Sequence, residues 1–201
     1  MKVPDIVEVV LGIAATGSLP PGFEWPLYRG IVGIAPWLED SAHAGILPLR
    51  GTRLADGALL LARRAKLVIR MPHERMCAAS ALEGRCIDLG GPSVTLGQGT
   101  FRKLRPSPTV YSPFVALGEA DERVFGRRLA GELKRLRIDR PFLCGRRVDI
   151  ALDDAPQPAY GVAVHGLDEE QSLLLQASGL GRGHAVGCGL FVPHKAIGVA
   201  P

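Results

Sequence analysis

The sequence predicts an α+β protein built from two successive βαββαβ units, and three observations lead there. The order of strand-like and helix-like segments in the first half returns in the second. Between the halves the composition shifts, at Phe101-Arg102-Lys103-Leu104-Arg105-Pro106-Ser107-Pro108, to three bases within five residues followed by two prolines. Glycines cluster at one place near the end, 179–189, just before a last apolar run. Strand, helix and strand pair repeated in tandem is the element order of two split βαβ units rather than of one continuous sheet. The expected domains are 1–104 and 105–201.

In the first half, residues 5–16 are rich in β-branched side chains and read as a long strand, ended by 17–22 with Pro20 and Pro21. From 23 to 37 the apolar residues Leu27, Ile31 and Ile34, with Leu38 beyond, recur at three-to-four spacing, which predicts a helix with one buried face and Tyr28 and Arg29 near its edge. A polar turn at 39–43 leads to expected strands at 46–49 and 58–61. Residues 66–70 alternate, placing Lys66, Val68 and Arg70 on one face. Pro72 stops that strand, 73–82 reads as a second helix, and short strands follow at 86–89 and 94–96. In the second half the expected elements are a strand at 110–117, a helix at 121–136, strands near 142–143, 148–152 and 160–164, a helix opening at Asp168, the glycine segment, and a closing strand at 190–192.

Composition bounds the possibilities. With 201 residues, 47% apolar and 22% charged, the chain can bury a proper core in each unit, and a net charge of +4 with a pI near 9.1 suits a polyanionic partner as well as an ordinary basic surface. The four cysteines, at 77, 86, 144 and 188, have neither zinc-site nor disulfide-framework spacing. Asp5 and Glu8 interrupt the first apolar stretch, so it has no signal-peptide layout, and no run reaches the ~20 apolar residues of a membrane span. The expectation is a cytoplasmic protein without a membrane partner, metal or cofactor.

The glycine segment runs Gly179-Leu180-Gly181-Arg182-Gly183-His184-Ala185-Val186-Gly187-Cys188-Gly189. Such density gives up conformational entropy for positive φ and close backbone approach. A phosphate-rich ligand is one justification, since backbone N–H groups form an anion-binding concavity to which Arg182 adds charge; a mobile loop before a final strand is the other. No Gly-Lys-Ser/Thr follows, and Val186 stands where a dinucleotide fingerprint needs its third glycine, so the familiar nucleotide loops are excluded. Further basic residues stand at Arg63-Arg64-Ala65-Lys66, at 102–105, on the second-half helix as Arg127, Lys134 and Arg135, and at Arg140 and Arg146-Arg147. The three on the helix share a side and can present a basic face to an RNA duplex, whose A-form geometry is read through phosphates. His184, Cys188 and His194 match no standard zinc spacing.

Gly-apolar-Gly, five residues including a base, and Gly-apolar-Gly again beside the last strand resembles the C-terminal glycine-rich loop of the CRISPR repeat-processing endoribonucleases. The layout of two βαββαβ halves agrees, for that family has tandem ferredoxin-like, RNA-recognition-like domains. The resemblance covers essentially the whole chain in layout. In motif it rests on the loop, on Gly189-Leu190-Phe191-Val192-Pro193 and on Leu27-Tyr28 in the first helix. It implies metal-independent cleavage of precursor CRISPR RNA, with repeat RNA as partner, and the glycine loop (Gly179, Gly181, Arg182, His184, Gly187, Gly189) as an RNA-binding element. The alternative it implies is a non-catalytic CRISPR RNA-binding subunit of an effector complex, with other subunits as partners.

The family's catalytic histidine lies between the first helix and the second strand, where this chain has His43; without the resemblance His43 reads as a solvated loop histidine. By order along the chain Tyr28 matches the family's helix tyrosine, and Arg50 or Arg53 its following base. His184 is the second candidate for catalysis. One departure is visible: where relatives open the first helix with an Asp-His pair after Leu-Pro, this chain has Gly22 and Phe23.

Overall fold

The structure, a computed structural model, describes residues 3–152 and 155–195. The chain divides into two compact units, one of Ile6–Lys103 and one of the described residues from Leu104 onward with 3–5. Each is a ferredoxin-like antiparallel sheet with helices packed on it.

The first unit opens with β1, Ile6–Ala15, followed by α1, Glu24–Ile34. Alternation sends Val7, Val9, Leu11 and Ile13 into the core under the helix, which buries Leu27 and Ile31 against them. Pro26 fits in the first turn of α1, where its missing N–H costs nothing, and Pro36 ends the helix by forcing Ala35 out of the helical region (φ −129°, ψ 71°). A single 3₁₀ turn, Pro36–Leu38, leads to β2, Gly45–Ile46. Then come a hairpin of β3, Gly51–Arg53, and β4, Leu59–Leu61, followed by β5, Lys66–Pro72, β6, Cys86–Asp88, and β7, Ser93–Lys103. The main sheet has the order β2-β5-β1-β7-β6, which is the 2-3-1-4 ferredoxin-like order with β6 added at the edge.

Several expectations change here. The strand expected at 46–49 ends at Ile46, because Pro48 has no N–H to continue a ladder. The helix expected at 73–82 is two 3₁₀ turns around a four-residue helix, α2, Met76–Ala79. Phe101-Arg102-Lys103, where the composition shifts between the halves, is the end of β7, in register with Val9, Glu8 and Val7.

That register explains a buried charge. Glu8 faces Arg70 across one ladder and Arg102 across the other. Its Oε1 accepts from Arg70 Nε at 3.2 Å and from a terminal guanidinium nitrogen at 2.7 Å, while Oε2 accepts from Arg102 Nε at 2.8 Å. Arg70 is fully buried, and burial pushes its pKa down while the Glu8 carboxylate beside it pushes back up.

The second unit contains β8, Thr109–Val115, α3, Glu122–Arg135, β9, Phe142–Leu152, β10, Ala155–His165, α4, Glu169–Ser178, and β11, Val192–Pro193, in sheet order β11-β8-β10-β9. The two strands expected near 142 and 148 are one. The Gly145-Arg146-Arg147 run between them stays in the ladder, with Gly145 against Gly161 at a bulge between Tyr160 and Val162. Phe125, Leu129 and Leu133 of α3 pack on Tyr160, Val162 and Val164, and the Tyr160 hydroxyl donates to the Ala120 carbonyl at 2.6 Å. The closing ladder is Val192–Pro193 against Tyr111 and Val110. Leu190 and Phe191, expected in that strand, are buried core residues ahead of it.

Removing the Glu8 charge leaves the buried Arg70 guanidinium without that counter-charge. Glu8→Gln is therefore expected to cost about 3 kcal/mol in urea unfolding. Arg102→Ala, at a half-exposed partner (52% of its side chain), is expected to cost under about 1 kcal/mol.

Candidate functional site

Between α1 and β2 the chain reverses in a few residues. Leu38 on one side and Ala44 and Ile46 on the other are buried, so both ends are fixed in the core. Ser41 Oγ donates to the Trp37 carbonyl at 2.6 Å, and the Ala44 N–H donates to the Ser41 carbonyl at 3.0 Å. The second bond closes a turn with His43 at its third position. His43 is half-buried, and its Nδ1 is inaccessible to solvent with no hydrogen-bond partner among the described residues. A buried unsatisfied nitrogen calls for a reason, and a ligand proton or hydroxyl is one.

Tyr28 is half-buried on α1, its ring edge-on to Trp25 with centroids 5.8 Å apart. Burial, and then the nearby carboxylates of Glu39 and Asp40, raise its phenol above the ordinary value of 10.0. The folded chain holds this proton more tightly than the unfolded one; the stability involved is present below pH 10 and is lost as pH rises through the folded value. At neutral pH Tyr28 is a hydrogen-bond donor and not a base. Glu24, one turn earlier, shares its side of α1, and the Arg53 guanidinium lies 4.0 Å from the Glu24 carboxylate while donating to the Gly57 carbonyl at 3.1 Å. The structure thus brings Arg53 to the side of α1 that carries Tyr28, and sets Tyr28 beside the acidic start of the His43 turn. Among the described residues Tyr28 and His43 share no hydrogen bond, and Arg50 is exposed with no ion pair. Phe23, at the departure from the family pattern, is a core residue, 3% exposed, beside Gly22 at φ +79°.

The glycine loop belongs to the second unit. Asp168 caps α4 and forms a capping box with Gln171, and the helix stops at Gly179 (φ +64°). From there the backbone is largely satisfied by the protein itself. Leu180 donates to Gly189, Arg182 to Ala116, Val186 and Cys188 to Gly183, Gly187 to His184, and Gly189 to Phe114 at 2.6 Å. Those N–H groups are occupied, which narrows the anion-binding reading to the outer part of the loop. The glycines serve close approach: a Cβ at Gly189 (φ +68°) would overlap the Leu180 carbonyl, and one at Gly181 (φ +76°) the Ala116 carbonyl. The His184 ring is turned back on the loop, so that a Cβ at Gly179 would stand 2.8 Å from its Cε1 and Nε2. Leu180 and Phe191 anchor both ends in the core, leaving Gly181 and Arg182 exposed at the tip.

On α3, Arg127 and Lys134 are exposed and seven residues apart, hence on one side. Arg135 is paired with Glu132 at 2.7 Å and the neighbouring Arg128 with Glu119 at 2.7 Å. No group of three His, Cys, Asp or Glu residues is placed to hold a metal ion among the described residues, and no described helix is long and apolar enough to cross a membrane.

A family model described as Cas6 Crispr matches residues 7–196. The chain belongs to the Cas6 family. It is thereby placed among the CRISPR endoribonucleases. A curated Cas6 relative, the CRISPR-associated endonuclease of Myxococcus xanthus (strain DK1622), is 26% identical over 178 residues, 88% of this chain and 77% of the relative. Solved structures share the fold. A Cas6-related protein of Pyrococcus furiosus gives a TM-score of 0.69 at 14% identity over 97% of this chain and 100% of that one. A RAMP protein described as binding different RNA substrates gives 0.68 at 17% identity over 94% and 99%. Cse3 of Thermus thermophilus, bound to an RNA representing a pre-cleavage complex, gives 0.51 at 13% identity over 93% and 98%.

In this Cas6 chain Gly189→Ala is expected to destabilise the second unit by at least about 2 kcal/mol, from the left-handed φ together with the clash at Leu180. Arg182→Ala, at the exposed tip, is expected to stay within about 0.5 kcal/mol of the parent in the same denaturation experiment.

Proposed function

We propose that this chain cleaves CRISPR repeat RNA within precursor CRISPR RNA, in the cytoplasm and without a metal ion, and keeps the processed product. The 2′-hydroxyl of the nucleotide before the cut loses its proton and attacks the adjacent phosphorus. The bond to the 5′-oxygen breaks, and that oxygen takes up a proton. The products are a 2′,3′-cyclic phosphate and a 5′-hydroxyl.

His43 is the proton carrier, because imidazole is the side chain whose ordinary pKa lies near neutrality. The observation that carries this reading is the buried Nδ1 of His43, without a partner among the described residues and on a turn fixed at both ends, in a chain of a nuclease family. Tyr28 acts as a neutral donor that positions the phosphate or the 2′-hydroxyl. Arg53, with Arg50 as the second base in the same hairpin region, offsets the charge that builds up on the phosphorane. Arg182 at the loop tip, with Gly179, Gly181, His184, Gly187 and Gly189 shaping the loop behind it, contacts the RNA backbone. Arg127, Lys134 and Arg135 contact the phosphates of a paired stem.

A second reading, a subunit that holds CRISPR RNA without cutting it, draws on the replacement of an acid-base pair by Gly22 and the buried Phe23.

The test is end-labelled repeat RNA incubated with the protein in excess chelator. The proposal expects cleavage to 5′-hydroxyl products. His43→Ala should lower the single-turnover rate by at least about 100-fold with RNA affinity retained. Tight binding without any cleavage by the parent chain would favour the second reading, and cleavage that persists in His43→Ala would remove His43 from the chemistry. Tyr28→Phe is expected to slow cleavage by roughly tenfold, the value of one lost hydrogen bond to a charged group, without altering the pH–rate profile below pH 10.

A further inference from the structure

In the first unit, away from the His43 turn, a cavity of about 410 Å³ opens between the β4–β5 turn and the sheet, lined by Gly12, Arg63, Arg64, Lys66, Thr95 and Gly97 among others. Its position follows from the backbone. The Ala65 N–H donates to the Ala62 carbonyl at 2.9 Å, closing a turn with Arg63 and Arg64 at its two central positions, and both side chains are exposed. Ala65 is buried, and its carbonyl accepts from the Ile13 N–H at 3.2 Å, which pins the turn to β1. Lys66, the first residue of β5, is in register with Gly12, and its ammonium lies 3.9 Å from where a Gly12 Cβ would stand.

The floor is glycine on both strands. The β1–β7 register shifts between Leu11 and Ile13, so that Gly12 faces Gly97-Gln98 at a bulge, where part of the ladder is interrupted. A Cβ at Gly97 would come within 3.6 Å of the Gly12 Cα, so the two backbones lie close together beneath the cations. Among the described residues none of Arg63, Arg64 and Lys66 forms an ion pair, whereas Arg53, Arg70, Arg102, Arg128, Arg135, Arg140 and Arg147 all do. Three uncompensated cations over a bare backbone floor, with no aromatic ring in the lining, suit a phosphodiester backbone and offer no base a stacking surface.

We propose that this groove is a separate binding site for the phosphate backbone of single-stranded RNA. It rests on the reading above in taking the bound chain to be RNA. The site is not the place of cutting. From Lys66 to Arg70, the partner of Gly45 in β2, is four residues of strand, about 13 Å, and His43 lies beyond that end. The groove therefore holds RNA flanking the cut site, and it contributes affinity rather than chemistry.

The test is equilibrium binding of labelled repeat RNA, with its unpaired flank, over a series of salt concentrations, in chelator. Replacing Arg63, Arg64 and Lys66 together by Ala is expected to reduce the slope of log affinity against log salt by about 2, at ~0.7 per lost single-strand phosphate contact, and to weaken low-salt binding at least tenfold. Gly12→Asp, which sets a carboxylate beside Lys66 where space allows a side chain, is expected to weaken binding with an unchanged melting temperature. Parent-like affinity and slope in both variants would overturn the proposal and leave the groove to an acidic protein surface. Cleavage is scored in parallel. A reduced slope in a protein that never cuts keeps the groove and removes the nuclease reading, whereas normal cutting with an unchanged slope does the reverse.

Discussion

The His43 turn is the constraint on which the functional account depends. Leu38 and Ala44 are both buried, so the five residues between them reverse direction on the surface with no freedom at either end. Two short hydrogen bonds, Ser41 to Trp37 and Ala44 to Ser41, fix the path. His43 is carried on that path with one ring nitrogen sealed from solvent and, among the described residues, unpaired, a costly arrangement in a loop that could have been polar throughout. Burial, and after it the acidic residues Glu39 and Asp40 ahead of His43, raise the Tyr28 phenol above its ordinary value. The phenol of Tyr28, the imidazole of His43 and, through Arg53 at Glu24, a guanidinium are the groups that the proposed cleavage assigns to donor, proton carrier and counter-charge.

The glycine loop works in the opposite sense. It is rigid because its glycines allow the backbone to fold onto itself and onto β8, and most of its N–H groups are consumed in doing so. What it presents outward is one short tip with Arg182. Positive charge elsewhere divides in the same way between structure and surface. Arg70 and Arg102 neutralise Glu8, Arg128 and Arg135 neutralise carboxylates on or beside α3, while Arg63, Arg64, Lys66, Arg127 and Lys134 keep their charge available. A count of basic residues does not separate these groups; which of them meets a carboxylate does.

Much of the fold was legible in the sequence, because β1 is rich in β-branched residues, α1 and β5 carry clear periodicity, and Pro72 and the glycine segment mark stops; the stop at Pro36 lies inside the helix expected over 23–37. Two of the parts that were not legible share a cause: charges and glycines inside strands. Phe101-Arg102-Lys103 stands at a shift of composition, and only the register shows Arg102 facing Glu8; the gap left between the strands expected near 142 and 148 closes only once Gly145 is seen beside Gly161. Both are cross-strand facts with no local signature. At the site, the spacing of the glycine loop pointed to the right family, but the inward turn of the His184 ring and the loop's self-satisfied backbone are tertiary. The cavity floored by Gly12 and Gly97 brings together residues about 85 apart, and only the Arg63-Arg64-Ala65-Lys66 run hinted at it.

The central claim is that His43 moves protons in the cleavage step. It is tested most directly by chemical rescue: single-turnover cleavage of repeat RNA by His43→Ala, in chelator, with increasing free imidazole. The account predicts a rate that rises with the concentration of imidazole and returns the same cyclic-phosphate and 5′-hydroxyl ends. Full cleavage by the variant in the absence of imidazole would contradict it.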